Sequence, residues 1–256
     1  MNVAIMGMGR LGRSLNALLS TKPAVRVETW RRGMAVPLES DVYWICVPDG
    51  AISEVAQIIP VGAVVLHASG ACDLGVLAPH KNVGSIHPLQ SFPGPDLGIP
   101  APETTPAAIA GTPAAKEQAW RLAETIGFRP FTVEGDRRAY HAAAVIAGNF
   151  ATLLLDQACL LLSSTGVDPS NAPAILSPLM RSSIDQANGP NPLEALTGPI
   201  ARGDTLTVES HLEFLASHSP EILEMYKKLS ERAVERLHGL GQIKSEDLEN
   251  WQRLLR

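Results

Sequence analysis

The N-terminal stretch Asn2-Val-Ala-Ile-Met6, followed directly by Gly7-Met-Gly9-Arg-Leu-Gly12, decides the fold. The apolar run is typical of a buried parallel strand, and a helical leucine pattern begins inside the glycine sequence. Gly7 suits a tight turn, Gly9 lets the backbone approach a pyrophosphate, and Gly12 permits close packing of helix on strand. The helix N-terminus adds unpaired N–H groups and a positive dipole end. The stretch therefore predicts a dinucleotide site, the alternative being a glycine-rich turn without a ligand.

A second strand over residues 24–30 ends in Arg31-Arg32-Gly33. NAD-binding units of this kind place an acidic residue at that point, where it holds the ribose 2′-hydroxyl. Arginine instead suits a 2′-phosphate, because charge-assisted hydrogen bonds contribute roughly 1.5–3 kcal/mol each. We therefore expect NADP (NADPH), with Arg31 and Arg32 as the phosphate ligands; two solvated arginines on a loop are the alternative. The predicted cofactor contacts are Gly7, Met8, Gly9, Arg10, Leu11, Gly12, Arg31, Arg32, Val47, Pro48 and Ser69.

Composition excludes several classes of protein. The 256 residues are 45% hydrophobic and 18% charged, with a net charge of −5 and no Lys/Arg-rich block, so we expect no nucleic-acid partner. Three widely spaced cysteines fit neither a disulfide framework nor a metal site, and they indicate a reduced, cytoplasmic protein. The most apolar segment, residues 142–162, carries Asn149, Asp156 and Gln157. We therefore expect a buried core helix there rather than a membrane span.

Strand and helix patterns alternate up to residue 135 and are purely helical afterwards. Further strands are predicted at residues 41–47, 62–67, 83–86, 107–110 and 128–133, with helices at 51–59 and 113–126 between them. This alternation predicts an α/β fold with a doubly wound, mostly parallel Rossmann sheet. The predicted domains are an NADP-binding domain at residues 1–135 and an all-helical substrate and dimerisation domain at residues 136–256.

Polar side chains follow three of the predicted strands, where ligands bind in open α/β sheets. Histidine is suited to moving a proton at neutral pH without much perturbation. Among His67, His87 and His141, His87 is the first choice because Pro88 fixes the loop that it begins. Ser69 is expected to orient His87 or to bind a substrate oxygen, and Gln90 to contact the substrate.

The long helix predicted at residues 139–164 places His141, Val145 and Asn149 on one face. His141 and Asn149 are either a hydrogen-bonded pair in the core or catalytic groups facing the cofactor. Arg202 is a candidate clamp for a substrate carboxylate, with Asp204 beside it, because a guanidinium pairs with a carboxylate in bidentate fashion. An arrangement of these two residues that only caps a helix or shapes the loop is equally compatible with the sequence.

These segments together resemble a known family. The resemblance rests on the glycine motif, Val47-Pro-Asp49, His67-Ala-Ser-Gly-Ala71, His87-Pro-Leu-Gln-Ser-Phe92, His141-Ala-Ala-Ala and Leu196-Thr-Gly-Pro-Ile-Ala-Arg-Gly-Asp204. The family is that of Rossmann-like proteins with a DUF2520 C-terminal domain, related to pyrroline-5-carboxylate reductase and to the 6-phosphogluconate dehydrogenase C-terminal-like group. It implies an NADP-binding domain, a helical domain that commonly dimerises, and a cleft between them. The Ser69 and His87-Pro88 pattern is also similar to that of prephenate dehydrogenases, in which the histidine accepts the hydroxyl proton.

The leading hypothesis is an NADP-dependent oxidoreductase that transfers a hydride to or from a small, anionic carbonyl, imine or alcohol. Its expected partners are that substrate and a second copy bound through the helical domain, with no metal and no membrane. One alternative is a regulatory protein that binds NADP without catalysis, since Val145 stands where related hydroxyacid dehydrogenases have a lysine four residues before the asparagine. The other is an enzyme similar to ketopantoate reductase.

Overall fold

The computed structural model describes residues 1–256 and contains one seven-stranded sheet. Its strands are β1 (Asn2–Met6), β2 (Arg26–Trp30), β3 (Val42–Ile45), β4 (Val64–His67), β5 (Asn82–Pro88), β6 (Pro106–Gly111) and β7 (Arg129–Thr132). They lie in the order β2-β1-β3-β4-β5-β6-β7. β1 to β5 are mutually parallel, whereas β6 pairs antiparallel with β5 and parallel with β7. The predicted doubly wound, mostly parallel sheet is confirmed.

Each central strand buries both of its faces, as its continuous apolar sequence predicts. Alternate residues of β1 and β3 point to opposite sides, so that Val3 and Trp44 join one core cluster and Met6 and Tyr43 join the other. Helices α1 (Arg10–Ser20) and α3 (Pro113–Ile126) cover the first side, and the short helix α2 (Ile52–Gln57) covers the second. This packing brings the loops after β1, β3, β4 and β5 to the same edge of the sheet.

β7 is one edge of the sheet and β2 is the other. Pro130 lies in the middle of β7, opposite Ala107 of β6. Between β5 and β6 the proline-rich segment forms two short 3₁₀ turns, Pro95–Leu97 and Pro102–Thr104. The first of these turns lies against α1, where Asp96 accepts a hydrogen bond from Arg13 at 2.8 Å.

After β7 the chain is helical. Its elements are α4 (Arg137–Val145), a π-helical segment (Ile146–Phe150), α5 (Ala151–Ser163), α6 (Ala172–Gln186), α7 (Thr205–His218), α8 (Pro220–Gly239) and α9 (Ser245–Leu255). A separate core joins Val208 and Leu212 of α7, Val234 and Leu237 of α8, and Trp251 of α9.

The chain divides into two compact units, residues 1–151 and 152–256. Predicted and observed strand ends agree within two residues, but β5 continues to Pro88, so His87 lies within the strand rather than in the loop after it. The first unit extends past the predicted domain boundary at residue 135 to include α4 and the π-helical segment. The reason is that side chains of α4 bond to the ends of β4 and β5, as described below.

The expectation that residues 142–162 form a buried core helix is wrong for the single chain. Residues Arg137–Ser163 form one continuous helical stretch, long and apolar enough to span a membrane by length and composition alone, and none of its apolar window is buried. Its exposed apolar side chains include Ile146, Phe150, Leu153 and Leu160. Apolar composition alone does not distinguish a helix buried within its own chain from one that another surface covers.

Candidate functional site

The glycine turn after β1 has the geometry that its sequence predicts. Gly7 has a φ of +119° and donates its N–H to the carbonyl of Trp30 at 2.9 Å. A Cβ on Gly12 would overlap the carbonyl oxygen of Gly7, so only glycine fits there. A Cβ on Gly9, by contrast, would have no atom within 4 Å. Gly7 and Gly12 are therefore fixed by packing, while Gly9 lies beside open space at the N-terminus of α1.

No side chain caps the N-terminus of α1, and its first turn contains no acidic residue. The first N–H groups of a helix have no partner within the helix. The first turn of α1 therefore presents free donors and the positive end of the helix dipole beside Gly9, an arrangement that suits a phosphate group.

A cavity of about 280 Å³ lies beside this turn, between the ends of β1, β2 and β3. Its lining includes six predicted cofactor contacts, namely Gly7, Met8, Arg31, Arg32, Val47 and Pro48. In the strand order, β1 is where the chain reverses direction across the sheet, the place where α/β proteins bind ligands. The structure thus brings these residues together, although their contact with a cofactor stays a prediction.

The two arginines after β2 have different surroundings. Both nitrogen–oxygen distances from Arg32 Nη2 to the carboxylate of Glu54, on α2, are 3.2 Å. Arg31 is exposed and forms no ion pair. Arg31 is consequently the arginine available to an added phosphate, and Arg32 is shared with Glu54.

A second cavity, of about 660 Å³, lies at the end of β5. Four predicted site residues line it: His87, Gln90, His141 and Asn149. Val145, Ala144 and Gly148 line it as well, so the helix face predicted from the spacing of His141, Val145 and Asn149 is the face that borders this cavity. Asn149 lies in the π-helical segment, a feature frequently found at functional sites.

His87 is held from one side by Tyr140. The Nδ1 atom of His87 and the hydroxyl of Tyr140 are 2.6 Å apart, and the two rings meet edge to face. No protein group bonds to Nε2 of His87, which is also not among the buried unpaired atoms. Nε2 is therefore the atom that His87 offers to a ligand.

Gly70 makes room for two imidazole rings. A Cβ at this position would lie 2.8 Å from Cε1 of His87 and 3.0 Å from Cδ2 of His141. The centroids of the two rings are 6.5 Å apart. Because a side chain at residue 70 would displace one ring or both, this glycine is required by the site itself.

Arg137 joins the start of α4 to the sheet. Its Nη2 donates to the carbonyl of Ser69 at 2.7 Å, and its Nη1 donates to the hydroxyl of Ser85 at 3.1 Å. Its Nε is buried without a partner, and no carboxylate forms an ion pair with it. A positive charge therefore lies behind the two strand ends without an ion-pair partner.

The surroundings of His87 keep it neutral. Burial, together with the nearby His141 and Arg137 and against the opposing charge of Asp49, lowers the pKa of His87 to about 4. This is a correction to the expectation of a little-perturbed histidine. Burial also raises the pKa of Tyr140 to about 12, with the Arg137 charge opposing. Both members of the pair are consequently uncharged at neutral pH.

Ser69, just after β4, and His67, the last residue of β4, form hydrogen bonds that hold the local backbone. The Ser69 hydroxyl accepts hydrogen bonds from the N–H groups of Ala71 and Cys72, and it does not bond to His87. His67 is fully buried, and its Nδ1 accepts the N–H of Ser69. Burial lowers the pKa of His67 to about 4 as well. Tyr140 thus makes the contact to His87 that the sequence suggested for Ser69.

Arg202 and Asp204 belong to the second unit. Asp204 is the N-cap of α7, accepting hydrogen bonds from the N–H and the hydroxyl of Thr207 at 3.1 and 2.7 Å. These bonds hold the pKa of Asp204 below its usual value. The capping alternative therefore describes Asp204, whereas Arg202 is exposed and its guanidinium donates no hydrogen bond.

Sequence reasoning missed Gly70, Arg137 and Tyr140. Arg137 and Tyr140 lie in a polar stretch that looks like an ordinary helix start. The available signal was spacing, since residues 137, 140 and 141 recur at helical intervals with Asn149.

Residues 105–233, just over half of the chain, match the family described as Domain of unknown function (DUF2520). The protein belongs to the DUF2520 family. Comparison of this DUF2520 protein with curated protein sequences gives no match.

Solved structures of other proteins share the fold. A Bacteroides fragilis protein, described provisionally as an NADP oxidoreductase, has a TM-score of 0.76 at 21% identity, over 91% of this chain and 98% of that one. The Aspergillus terreus reductive aminase, in complex with NADPH and ethyl levulinate, has a TM-score of 0.63 at 17% identity over 98% of both chains. The Streptococcus pyogenes 1-pyrroline-5-carboxylate reductase has a TM-score of 0.60 at 13% identity, over 92% of this chain and 98% of that one. The expected relation to the reductase fold is confirmed.

Proposed function

We propose that the protein is an NADP-dependent oxidoreductase that transfers a hydride to or from a small carbonyl, imine or alcohol. The observation that carries the proposal is that the glycine-turn cavity and the His87 cavity lie at the carboxyl ends of parallel strands of one sheet. The reductive aminase and the pyrroline-5-carboxylate reductase that share this fold support the reaction class.

The residues around the glycine turn fit a nicotinamide dinucleotide. The open space beside Gly9 and the uncapped helix N-terminus suit the pyrophosphate, and Arg31 with Arg32 suits a 2′-phosphate. Val47 and Pro48 supply the wall of the cavity on the β3 side. When bound, this cofactor supplies or accepts the hydride.

His87 is proposed to hydrogen-bond the reacting oxygen or nitrogen through Nε2. In the direction of reduction this atom donates its proton to the substrate, and in oxidation it accepts the proton back. His141, Asn149 and Gln90 line the same cavity and are proposed to orient the substrate. Ser69 acts by holding the turn beside Gly70, through its two backbone hydrogen bonds.

The substrate is proposed to be anionic, with Arg202 as the carboxylate clamp. Support comes from its exposed guanidinium, which donates no hydrogen bond, in the loop that precedes α7. Arg202→Gln is expected to raise KM for an anionic substrate about tenfold or more with little change in kcat, because a charge-assisted hydrogen bond contributes roughly 1.5–3 kcal/mol. An unchanged KM would remove Arg202 from the proposal.

The proposed activity is tested by measuring NADPH binding calorimetrically and NADPH oxidation with a panel of 2-oxo acids and cyclic imines. Wild-type protein should bind NADPH and oxidise it with at least one member of the panel. His87→Gln should retain binding and lose turnover by about 100-fold or more, the usual contribution of a general acid or base. His218→Gln, on the exposed end of α7, is the matched control and should change neither quantity. Tight binding of NADPH with no turnover in either protein would favour the regulatory alternative.

We also propose a homodimer formed through the helical unit, in the cytoplasm. The exposed apolar residues on α5 and α6 are Leu153, Leu160, Ile175, Leu179 and Ile184. A membrane is a poorer cover for the stretch from Arg137 to Ser163, because Arg137 and Tyr140 bond to the sheet at one end and Asp156 lies within α5. The three free cysteines support a reducing compartment.

Light scattering should show a dimer of the wild-type protein. Leu153→Glu should shift it to the monomer, because the glutamate would bury a charge in the interface. Leu206→Glu, at an equally apolar and more exposed position on α7, should leave the dimer unchanged. A monomeric wild-type protein would exclude the proposed dimer.

A further inference from the structure

We propose that Tyr140 is a positioning residue for His87: its hydroxyl donates to Nδ1, fixes the tautomer that carries the proton on Nε2, and turns that N–H to the cavity. This inference rests on the proposed function for its catalytic meaning. The structural part of the inference is the tautomer of His87, which can be measured without any substrate.

Two side-chain contacts fix the register of α4 against β5. Ser85 and His87 are two residues apart on β5 and point to the same side of the strand. Arg137 and Tyr140 are three residues apart on α4 and lie on one helix face. Arg137 bonds to Ser85 and Tyr140 bonds to His87, so the first contact sets the helix where the second can form. The short distance between Tyr140 and His87 is thus the result of a two-point attachment.

The direction of the hydrogen bond follows from the acidity of the two groups. A phenol is a stronger acid than the N–H of a neutral imidazole, and the unprotonated imidazole nitrogen is a stronger base than a phenol oxygen. The favourable arrangement therefore has Tyr140 donating to Nδ1 of His87, which leaves the ring proton on Nε2. The edge-to-face contact with Tyr140, and the close approach of Gly70 on the other side, limit rotation of the ring.

This arrangement explains how a neutral histidine can donate a proton. As a hydride reaches the substrate carbon, negative charge develops on the oxygen or nitrogen, which takes the proton from Nε2. The phenol proton of Tyr140 passes to Nδ1 in the same step, so the ring remains neutral and the charge resides on the Tyr140 oxygen. Arg137 stabilises that charge. Afterwards water protonates Nε2 and the Nδ1 proton returns to the Tyr140 oxygen, which restores the starting tautomer and releases hydroxide to solvent. Without Tyr140, the same donation would leave a far more basic imidazolate.

The test is ¹⁵N NMR of protein labelled at histidine, without ligand, with the His87 resonances assigned by comparison with His87→Gln. In wild-type protein at pH 7, His87 should show a single neutral tautomer protonated at Nε2. Tyr140→Phe keeps the ring that packs on His87 and Phe131 but removes the hydroxyl. This variant should show a mixture of tautomers, and its His87 should titrate at a higher pH, because the lost hydrogen bond stabilised the neutral form.

Turnover provides the second measurement. With the panel substrate that wild-type protein reduces fastest, kcat of Tyr140→Phe should fall about 10- to 100-fold, while the Kd for NADPH stays unchanged. Tyr226→Phe is the matched control, because its hydroxyl lies 2.9 Å from Nδ1 of His211 in the second unit. It should alter the His211 signals and leave His87 and kcat as they are.

Two outcomes would overturn the inference, whatever the activity: a wild-type His87 protonated at Nδ1, or a His87 spectrum that is identical in Tyr140→Phe. If the tautomer changes as expected but no panel substrate is reduced even by wild-type protein, the assignment of Tyr140 as the group that orients His87 stands. In that case the proposed oxidoreductase activity is wrong, and the role of Tyr140 is not.

Discussion

Gly9→Ala separates folding from cofactor binding more cleanly than any other change in the glycine turn. Gly9 has φ −71° and ψ −167°, a conformation open to alanine, and the added methyl group would have no atom within 4 Å. Alanine is a poorer helix N-cap than glycine, but it also restricts the unfolded chain. Each effect amounts to about 1 kcal/mol or less, and the two have opposite signs. The melting temperature of Gly9→Ala should therefore lie within a few degrees of wild type.

The expected effect on binding is much larger. The methyl group would occupy the space through which a pyrophosphate reaches the first N–H groups of α1. Loss of two charge-assisted hydrogen bonds, at roughly 1.5 kcal/mol or more each, would raise the Kd for NADPH by about 100-fold or more.

Calorimetric titration with NADPH and thermal unfolding of the same samples check both halves of the argument. Gly75→Ala is the control, since Gly75 lies in the 3₁₀ turn Leu74–Leu77 with equally open surroundings and away from both cavities. It should change neither quantity. If Gly9→Ala bound NADPH as tightly as wild type, the pyrophosphate would not lie over this turn, and the cofactor assignment would fail.

Three further outcomes are expected. Gly12→Ala should lower the free energy of unfolding by a few kcal/mol, because its Cβ would overlap the Gly7 carbonyl. Its melting temperature should therefore be markedly lower, and a wild-type melting curve would contradict the packing described. Arg31→Ala should raise the Kd for NADPH about tenfold and leave that for NADH unchanged, and equal effects on both would exclude recognition of a 2′-phosphate. Because the pKa values of His67 and His87 are lowered to about 4, the unfolded chain binds these protons first as the pH falls below about 6.5. Stability to urea should thus drop by about 2 kcal/mol for each histidine, or about 4 kcal/mol in all, between pH 7 and pH 5. Equal stability at the two pH values would show that the histidines are not buried neutral.

The sequence predicts the first half of the molecule well because local signals and packing agree there. The apolar runs of β1, β3 and β4 can only be buried strands, and the spacing of Gly7, Gly9 and Gly12 matches the turn that joins such a strand to a closely packed helix. The same strand ends predict that His87 borders a cavity. The spacing of His141 and Asn149 predicts that they share one helix face, and both residues line one cavity.

The sequence pattern does not predict features of the site that arise from contacts between distant segments. His87 and Tyr140 are 53 residues apart, and nothing in either local sequence indicates that they meet. The low pKa of His87 follows from burial and from the placement of Arg137, neither of which is local. Periodicity likewise shows that the stretch from Arg137 to Ser163 is apolar, but not that its own chain leaves it exposed.

The proline in the middle of β7 limits how copies of this protein can join. Pro130 has no N–H to donate, so a strand from another molecule that approached this border of the sheet would find an interrupted ladder. At the opposite border, β2 alternates charged Arg26 and Glu28 with Val27 and Thr29, which discourages flat stacking against an identical strand. Growth of one continuous sheet through successive molecules is thereby blocked at one border and disfavoured at the other.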